Sequence, residues 1–392
     1  MIRPAVIRAR LPKPRSPFQL QETVQMLHIF RPKSLMKTII LAGTKKGLFL
    51  FSSPDRARWE LAGPFQSGRE INHALYDARN GRIYATANDA WFGCEMVWSS
   101  DLGASWTAAK QNPAFPENSG LKLERLWHIE PGRASEPEVL YAGVAPAALF
   151  RSEDGGQTWN ELTTLTQHPT WPQWHPGAGG LCLHSIVVDP SDAKRMFVGI
   201  SAVGVFRTND GGASWHLANQ GTRAEFLPEK YPEYGQCVHK LLMADGQRSL
   251  LYQQNHCGVY RSADGGQSWQ EITSGLPSDF GFPLALHPRQ PETVFVLPLK
   301  GADFRCPPEG KLRVFRSRTG GKGWEALGKG LPQTDAFVGI YREGMAVDSL
   351  EPAGLYFGTN TGKIFGSTDE GDSWRLVADN LPPVYSISTA VI

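Results

Sequence analysis

The sequence predicts an all-β protein, a seven-bladed β-propeller over residues 36–392, and three observations support this. A short motif ending in Trp recurs along the chain at spacings of 47 to 56 residues, which is the period of a propeller blade. The composition includes 41 Gly, 29 Pro and only 20% charged residues, which is typical of many short strands joined by turns. The two ends of the region carry complementary parts of one blade. The motif tryptophans are Trp59, Trp106, Trp159, Trp215, Trp269, Trp324 and Trp374.

The recurring motif predicts a turn between two strands of each blade. Five copies follow the pattern Ser/Thr-x-Asp-x-Gly-x-Ser/Thr-Trp and begin at Ser99, Ser152, Thr208, Ser262 and Ser367. The copy at Ser317 has Thr319 in place of Asp, and the copy that begins at Ser53 is one residue short. Ser and Asp side chains bond nearby backbone N–H groups, Gly permits a positive φ, and Trp packs back on the sheet.

The motif is similar to the Asp-box, or BNR repeat, of sialidases, xyloglucanases, sortilin-type receptors and photosystem II assembly factors. This resemblance implies a propeller with the motif turns on its outer rim, of a sialidase-like or glycosyl-hydrolase-like type. It also implies a structural role for Asp154, Asp210 and Asp264 rather than a catalytic one. The same repeat occurs in hydrolases, receptors and assembly factors, so it specifies architecture and not activity.

Each repeat also contains the apolar alternation of short strands. In the fourth repeat we predict an inner strand over 184–189, followed by strands over 195–200 and 204–208, and an outer strand that begins after Trp215. Period-two alternation and the intervening turn residues support this assignment.

The chain ends predict how the ring closes. Residues 38–43 and 47–52 match the second and third strands of a blade, whose inner strand is missing at this end, and residues 384–391 form a surplus strand. We expect that strand to complete the first blade and to cover its open edge. Residues 1–35 carry seven basic residues and one acidic residue. They are interpreted as a disordered basic arm, or as the product of a misassigned start upstream of Met36.

Composition excludes several classes of partner and predicts a compartment. The chain has no apolar run of the length that spans a membrane, and the region after residue 35 is mildly acidic, which disfavours nucleic-acid binding. Five cysteines without a Cys-x-x-Cys pair, together with the lack of an apolar leader, predict a cytoplasmic protein. The sequence leaves the oligomeric state open.

The starts of the inner strands and the loops between second and third strands converge on one face of a propeller, around the central channel. That face is the expected ligand site, and polar and aromatic residues crowd it, although a hydrated channel mouth without a ligand would also be polar. The candidate binding residues are Arg69, His73, Trp91, Arg125, Trp127, His128, Trp171, Trp174, His184, His239, His256 and Arg342.

The first functional hypothesis is a propeller that binds a polar small molecule or glycan, either carbohydrate-like or anionic. Four tryptophans outside the repeats and the predicted strands (Trp91, Trp127, Trp171 and Trp174) suit stacking on sugar rings. The insertion over residues 166–180 is expected to lie across the channel mouth, and its alternative interpretation is a packed surface loop.

The alternative is a glycoside hydrolase. The resemblance to sialidases implies an arginine clamp of Arg69, Arg125 and Arg342, a nucleophile formed by Tyr341 with Glu124 or Glu343, and Asp89 as the acid. Sialidases have six blades and a Phe/Tyr-Arg-Ile-Pro motif that this chain lacks. The resemblance to xyloglucanases supports hydrolysis of another glycan by paired carboxylates, but those enzymes pair two propellers across a cleft. The sequence therefore favours the binding hypothesis.

A soft metal site is a further expectation at the same face. Cys182 and His184 occupy positions equivalent to those of Cys237 and His239 on the next inner strand, and His256 lies in the loop that follows. Residues two apart on a strand share one face, so these five side chains are candidate ligands for Zn²⁺. The other interpretation is small buried cysteines and backbone-bonded histidines, so no cofactor is certain.

Overall fold

The structure is a computed structural model that describes residues 36–392. Within this range the chain forms seven four-stranded antiparallel sheets, and each inner strand contacts the inner strands of both neighbouring sheets. The predicted all-β, seven-bladed propeller is therefore confirmed. The arm predicted for residues 1–35 lies outside the described residues.

The strands follow one another from the channel outwards in every blade after the first. Blade 1 contains β1 (Thr38–Thr44), β2 (Gly47–Ser53) and β3 (Glu60–Phe65), and blade 2 contains β4 (Glu70–Asp77), β5 (Arg82–Asp89), β6 (Gly93–Ser99) and β7 (Thr107–Ala108). Blade 3 contains β8 (Arg125–Pro131), β9 (Leu140–Ala145), β10 (Leu149–Ser152) and β11 (Asn160–Glu161). Blade 4 contains β12 (Leu183–Val188), β13 (Met196–Ile200), β14 (Gly204–Thr208) and β15 (His216–Leu217).

The remaining blades repeat this order. Blade 5 contains β16 (Val238–Met243), β17 (Leu251–Asn255), β18 (Gly258–Ser262) and β19 (Gln270–Glu271). Blade 6 contains β20 (Gly281–Leu286), β21 (Val294–Pro298), β22 (Val314–Ser317) and β23 (Glu325–Leu327). Blade 7 contains β24 (Met345–Val347), β25 (Leu355–Gly358), β26 (Ile364–Ser367) and β27 (Arg375–Ala378), and the last strand is β28 (Val384–Val391).

Strand β28 closes the ring as predicted. It pairs antiparallel with β1, from Thr38 opposite Val391 to Thr44 opposite Val384. The backbone amide of Ile387 also donates to the carbonyl of Glu343 at 2.7 Å, which links blade 1 to the chain entering blade 7. The first and last segments of the propeller thus share one sheet, and β1 has no open inner edge.

The motif turns are held by the side chains that define the motif. In the copy of blade 2, the Ser105 amide and hydroxyl donate to the Asp101 carboxylate at 2.8 and 2.6 Å, and the Gly103 amide donates to the Ser99 hydroxyl at 2.7 Å. Gly103 has a φ of 97°, which a residue with a side chain rarely adopts. The Ser105 hydroxyl and amide lower the pKa of Asp101 to about 2. The Asp carboxylate of the motif is therefore occupied by hydrogen bonds within its own turn.

The apolar core lies between adjacent blades. One cluster joins blades 2 and 3 through Tyr84, Phe150 and Trp159, all nearly inaccessible to solvent. Short helical turns lie outside the sheets at Glu117–Ser119, Thr163–Thr166, Trp171–Gln173, Gly301–Phe304 and Pro308–Gly310. None of the helices within residues 36–392 has the length and apolar character needed to cross a bilayer.

Candidate functional site

Three adjoining cavities lie on the channel face at which the inner strands begin. The central cavity, of about 210 Å³, shares Arg125 with a groove of about 350 Å³ beside blades 1 to 3. It also shares Arg305 and Arg342 with a third cavity, of about 200 Å³, beside blades 4 to 6. The three together form one surface across the channel mouth.

The central cavity is lined by cations and aromatic rings. The Arg342 guanidinium lies 5.9 Å from the ring centre of Trp127 and 5.2 Å from that of Phe282, and Arg305 lies 5.5 Å from Phe282. Within residues 36–392, Arg305 and Arg342 form no ion pair, whereas Arg125 pairs with Glu70 at 2.8 Å. Two guanidinium groups therefore face this cavity without a carboxylate partner.

The groove beside blades 1 to 3 contains carboxylates next to an exposed indole. Asp89, Glu124 and Trp91 line it together, and the Trp91 side chain is 91% exposed. The Asp89 carboxylate accepts the backbone amides of Phe92 and Trp91 at 2.9 and 2.7 Å. These bonds lower the pKa of Asp89, so this carboxylate is ionised at neutral pH. Glu124 forms no ion pair with any described residue.

Glu343 lies between the central cavity and the channel behind it, inside a buried charge cluster. Its carboxylate pairs with the Lys240 ammonium, and His128 Nδ1 and His73 Nε2 lie at 3.5 and 3.9 Å. Burial opposes ionisation, but Lys240 and the two histidines outweigh it and hold the pKa of Glu343 well below its usual range. Burial lowers the pKa of His73; for His128 burial acts in the same direction, but Glu343 overrides it and the pKa rises. The Glu343 carboxylate is therefore ionised, and its charge is balanced by Lys240 on the channel side.

Tyr341 lies at the edge of the central cavity. Its ring packs edge-on against Tyr385 with centroids 5.4 Å apart, and burial raises its pKa. A phenol in this state is neutral and acts as a hydrogen-bonding group rather than as an anionic nucleophile.

Cys237, His239 and His256 converge on the third cavity, and their candidate ligand atoms all lie within 4.8 Å of one another. Burial opposes ionisation of the Cys237 thiol, but His239 and His256 outweigh it and lower its pKa well below the usual value. Cys182 and His184 lie outside this group. Burial raises the pKa of Cys182 to about 11, and His184 Nε2 donates to the Val238 carbonyl at 2.9 Å.

The structure brings many of the predicted residues to this face but distributes them over the three adjoining cavities. Arg125, Trp127, His184, Tyr341, Arg342 and Glu343 line the central cavity, and Asp89, Trp91 and Glu124 line the groove. Arg69 is engaged by Glu95, so the clamp of three arginines predicted by analogy with sialidases is not assembled from those residues. His73 and His128 line the channel behind Glu343.

The insertion over residues 166–180 only partly matches the prediction. Trp174 is 6% exposed and packs with Phe206, at 5.2 Å between ring centres, and Trp171 packs against Trp174. These two indoles are part of the blade 4 core, because the chain folds back after the helix at Thr163–Thr166 and buries them. Only the end of the insertion, at Gly179, reaches the central cavity.

Sequence reasoning missed two residues that line the central cavity, Phe282 and Tyr385. Phe282 is the second residue of β20 and Tyr385 the second residue of β28. The alignment that placed Arg125 and Trp127 on the face would have found both, had it been extended to the inner strands of blades 6 and 1.

Known proteins that are similar to this chain in sequence include xyloglucanases. An oligoxyloglucan-reducing end-specific xyloglucanase of Emericella nidulans is 25% identical over a 335-residue alignment, which covers 74% of this chain and 38% of that enzyme. A xyloglucanase of a Paenibacillus species is 28% identical over 264 residues, which cover 59% of this chain and 23% of that enzyme. The chain therefore spans well under half the length of these relatives. No protein-family profile matches the chain.

Among solved structures, the GH74 enzyme of Niastella koreensis superposes with a TM-score of 0.60 at 18% identity, covering 87% of this chain and 52% of that one. This likeness concerns the fold. The predicted cytoplasmic location is contradicted by the xyloglucanase relatives, because enzymes of this kind act on a polysaccharide outside the cell. That prediction relied on the composition of the first 35 residues and on cysteine usage, and neither is positive evidence for a compartment. The protein is a seven-bladed β-propeller with xyloglucanase relatives.

Proposed function

We propose that this propeller is a glycoside hydrolase that binds its glycan across the channel face. The observation that carries the proposal is the groove in which Asp89 and Glu124 lie beside the exposed indole of Trp91, in a chain similar to xyloglucanases. Hydrolysis of a glycosidic bond requires two carboxyl groups with different protonation states, and an indole offers a flat surface for a sugar ring.

The two carboxyl groups of the groove have different surroundings. Asp89 accepts two backbone amides and is ionised, which suits the anionic partner of the pair. Glu124 forms no ion pair with any described residue and lines the groove with Asp89, and we assign it as the acid that protonates the leaving oxygen. Glu124 donates its proton to the glycosidic oxygen while the bond from that oxygen to the anomeric carbon breaks. A water molecule attacks the anomeric carbon and gives a proton to Asp89, which leaves a new hydroxyl group on each sugar fragment.

The three arginines that line the central cavity favour a substrate that carries an anionic group. A glycan in the groove reaches Arg305 and Arg342 by passing Arg125, which lines both spaces. Arg342 lines this cavity and forms no ion pair with any described residue, and guanidinium groups bind carboxylates in a bidentate manner. We therefore assign an acidic sugar to the central cavity and neutral sugar units to the groove.

A second candidate function is glycan binding without cleavage. The protonation and pairing of Glu343 and Tyr341 favour this function. The charge of Glu343 is balanced by its buried ion pair with Lys240, and burial raises the pKa of Tyr341 and keeps its phenol protonated. In this case the same face holds the ligand, and Asp89 and Glu124 act only as hydrogen-bond acceptors.

One experiment separates the two functions. The protein is incubated with xyloglucan oligosaccharides, neutral β-glucans and uronate-containing oligosaccharides, and both bound ligand and new reducing ends are measured. Hydrolysis that falls at least about 100-fold in Glu124→Gln and Asp89→Asn supports the hydrolase. Glu153→Gln is the control, because this exposed carboxylate pairs with Arg151 in the motif turn of blade 3. Binding without new reducing ends in the wild type supports the binding protein, and full activity in both variants overturns the assigned roles.

A further inference from the structure

We infer that Cys237, His239 and His256 form a binding site for Zn²⁺ at the third cavity, with one coordination position open to that cavity. The inference stands apart from glycan hydrolysis, because none of the three residues lines the groove or the central cavity. It narrows the five-residue set expected from the sequence to the three that the fold brings together.

The backbone fixes the relative positions of the three side chains. Cys237 immediately precedes β16 and His239 is its second residue, at a register shift between Val238 and Lys240, and the Cys237 Sγ lies 3.6 Å from His239 Nε2. His256 lies in the tight turn between β17 and β18, and its backbone amide donates to the Cys237 carbonyl at 2.9 Å. This hydrogen bond ties the third ligand to the first across the strand pair. The site is therefore built on the blade 5 sheet and not on a loose loop.

The tautomer of His239 is suited to metal binding. Its Nδ1 donates to the Gly281 carbonyl at 2.6 Å, so the Nε2 lone pair is free and points to Cys237 Sγ at 3.6 Å. A tetrahedral Zn²⁺ ion with a Zn–S distance of about 2.3 Å and a Zn–N distance of about 2.05 Å places sulfur and nitrogen about 3.6 Å apart. A carbonyl that holds the second ring nitrogen is the usual support of a metal-bound histidine.

Aromatic packing holds the two imidazoles in place. His256 packs edge-on against Phe226 and Phe280, both at 5.0 Å between centroids, and His239 lies 4.5 Å from Phe282. Apolar walls lower the local dielectric and so strengthen the interaction between a thiolate and a cation. One sulfur and two nitrogen ligands form a set that Zn²⁺ accepts and that Mg²⁺ and Ca²⁺ do not prefer.

A second group in the same propeller shows what distinguishes this one. His73, His128 and Glu343 also lie close enough together to hold a metal ion, but the Lys240 ammonium already occupies the carboxylate of that group. Within residues 36–392, no lysine or arginine forms a hydrogen bond with the side chain of Cys237, His239 or His256. The nearby cation is Arg342, which lines the same cavity and does not occupy the ligand atoms of the blade 5 group.

The fourth position faces a cavity that also contains Arg342. Three protein ligands and one open position are the arrangement of metal sites that bind an exchangeable molecule. A water molecule or a small anion would complete the coordination, with the guanidinium available to an anionic ligand.

The test uses Zn²⁺ and Co²⁺ as probes on the full chain. Metal-free protein is titrated with each ion, and the metal retained after gel filtration is counted by elemental analysis. We expect one Zn²⁺ per chain and, with Co²⁺, a thiolate-to-metal charge-transfer band. Cys237→Ser and His256→Ala should each weaken binding by at least about 100-fold, since loss even of a supporting group costs 10–100-fold. Cys94→Ser, which changes a thiol in blade 2, should bind as the wild type does.

A measurement on the wild type covers the case in which a variant fails to fold. Iodoacetamide labelling of Cys237 is followed by peptide mass spectrometry with and without Zn²⁺, and bound metal should slow labelling at this thiol at least about tenfold. Equal labelling in both conditions, equal zinc content in wild type and folded Cys237→Ser, or a Co²⁺ spectrum without the charge-transfer band would each overturn the inference.

Discussion

Replacing Glu343 by Gln removes the counter-charge of Lys240 while keeping the shape of the side chain. The two side chains are 9% and 10% exposed, so water would solvate only a small part of the ammonium that is left behind. Removing one partner of a buried ion pair costs about 3–5 kcal/mol. Coulomb's law gives about 4 kcal/mol for two charges 4 Å apart at an effective dielectric constant of about 20. We expect the free energy of unfolding to fall by about 4 kcal/mol.

The assay is urea unfolding at pH 7.5, followed by tryptophan fluorescence, for the wild type, Glu343→Gln, Lys240→Met and the double variant. Both single variants should be strongly destabilised. The double variant should lose less than the sum of the two, because it buries no unpaired charge. Strict additivity, or a Glu343→Gln variant within about 0.5 kcal/mol of the wild type, would refute the assignment of Glu343 and Lys240 as a stabilising buried ion pair.

Three further predictions concern pH, the motif turns and the central cavity. Burial lowers the pKa of His73 and His184, so below pH 6.5 the unfolded chain binds more protons at these two residues than the folded chain does. Stability should therefore fall with falling pH by up to about 1.4 kcal/mol per pH unit for each of the two histidines. A melting temperature that is constant from pH 7.5 to 5.5 would contradict this. Asp369→Ala removes the acceptor of three hydrogen bonds in the blade 7 turn and should cost about 2 kcal/mol in urea unfolding, whereas a loss below about 0.5 kcal/mol would show that the turn does not depend on the carboxylate. Arg342→Met should weaken binding of a uronate-containing oligosaccharide about tenfold or more in calorimetry while leaving a neutral one unchanged, and equal losses for both would place the anionic group elsewhere.

The sequence by itself determined the architecture of this protein. The motif that ends in Trp106 and its repeats depend on hydrogen bonds within five residues, so they can be recognised without any knowledge of distant contacts. Apolar alternation placed β14 at its observed bounds, and the surplus strand over 384–391 was visible because the first repeat lacked its inner strand. Local turn chemistry and period-two patterning are properties of neighbouring residues, and neighbouring residues are what a sequence displays.

Only the tertiary structure decided which side chains meet. Glu343 and Lys240 are 103 residues apart and on different blades, and nothing near either residue indicates that they form a buried pair. The same holds for Trp174, which the fold buries, and for the choice among the five predicted metal ligands, since only the fold separates Cys182 and His184 from Cys237, His239 and His256. Contacts across the channel depend on strand register and on the path of each loop around the ring. These are set by the packing of all seven blades together, and no single repeat contains that information.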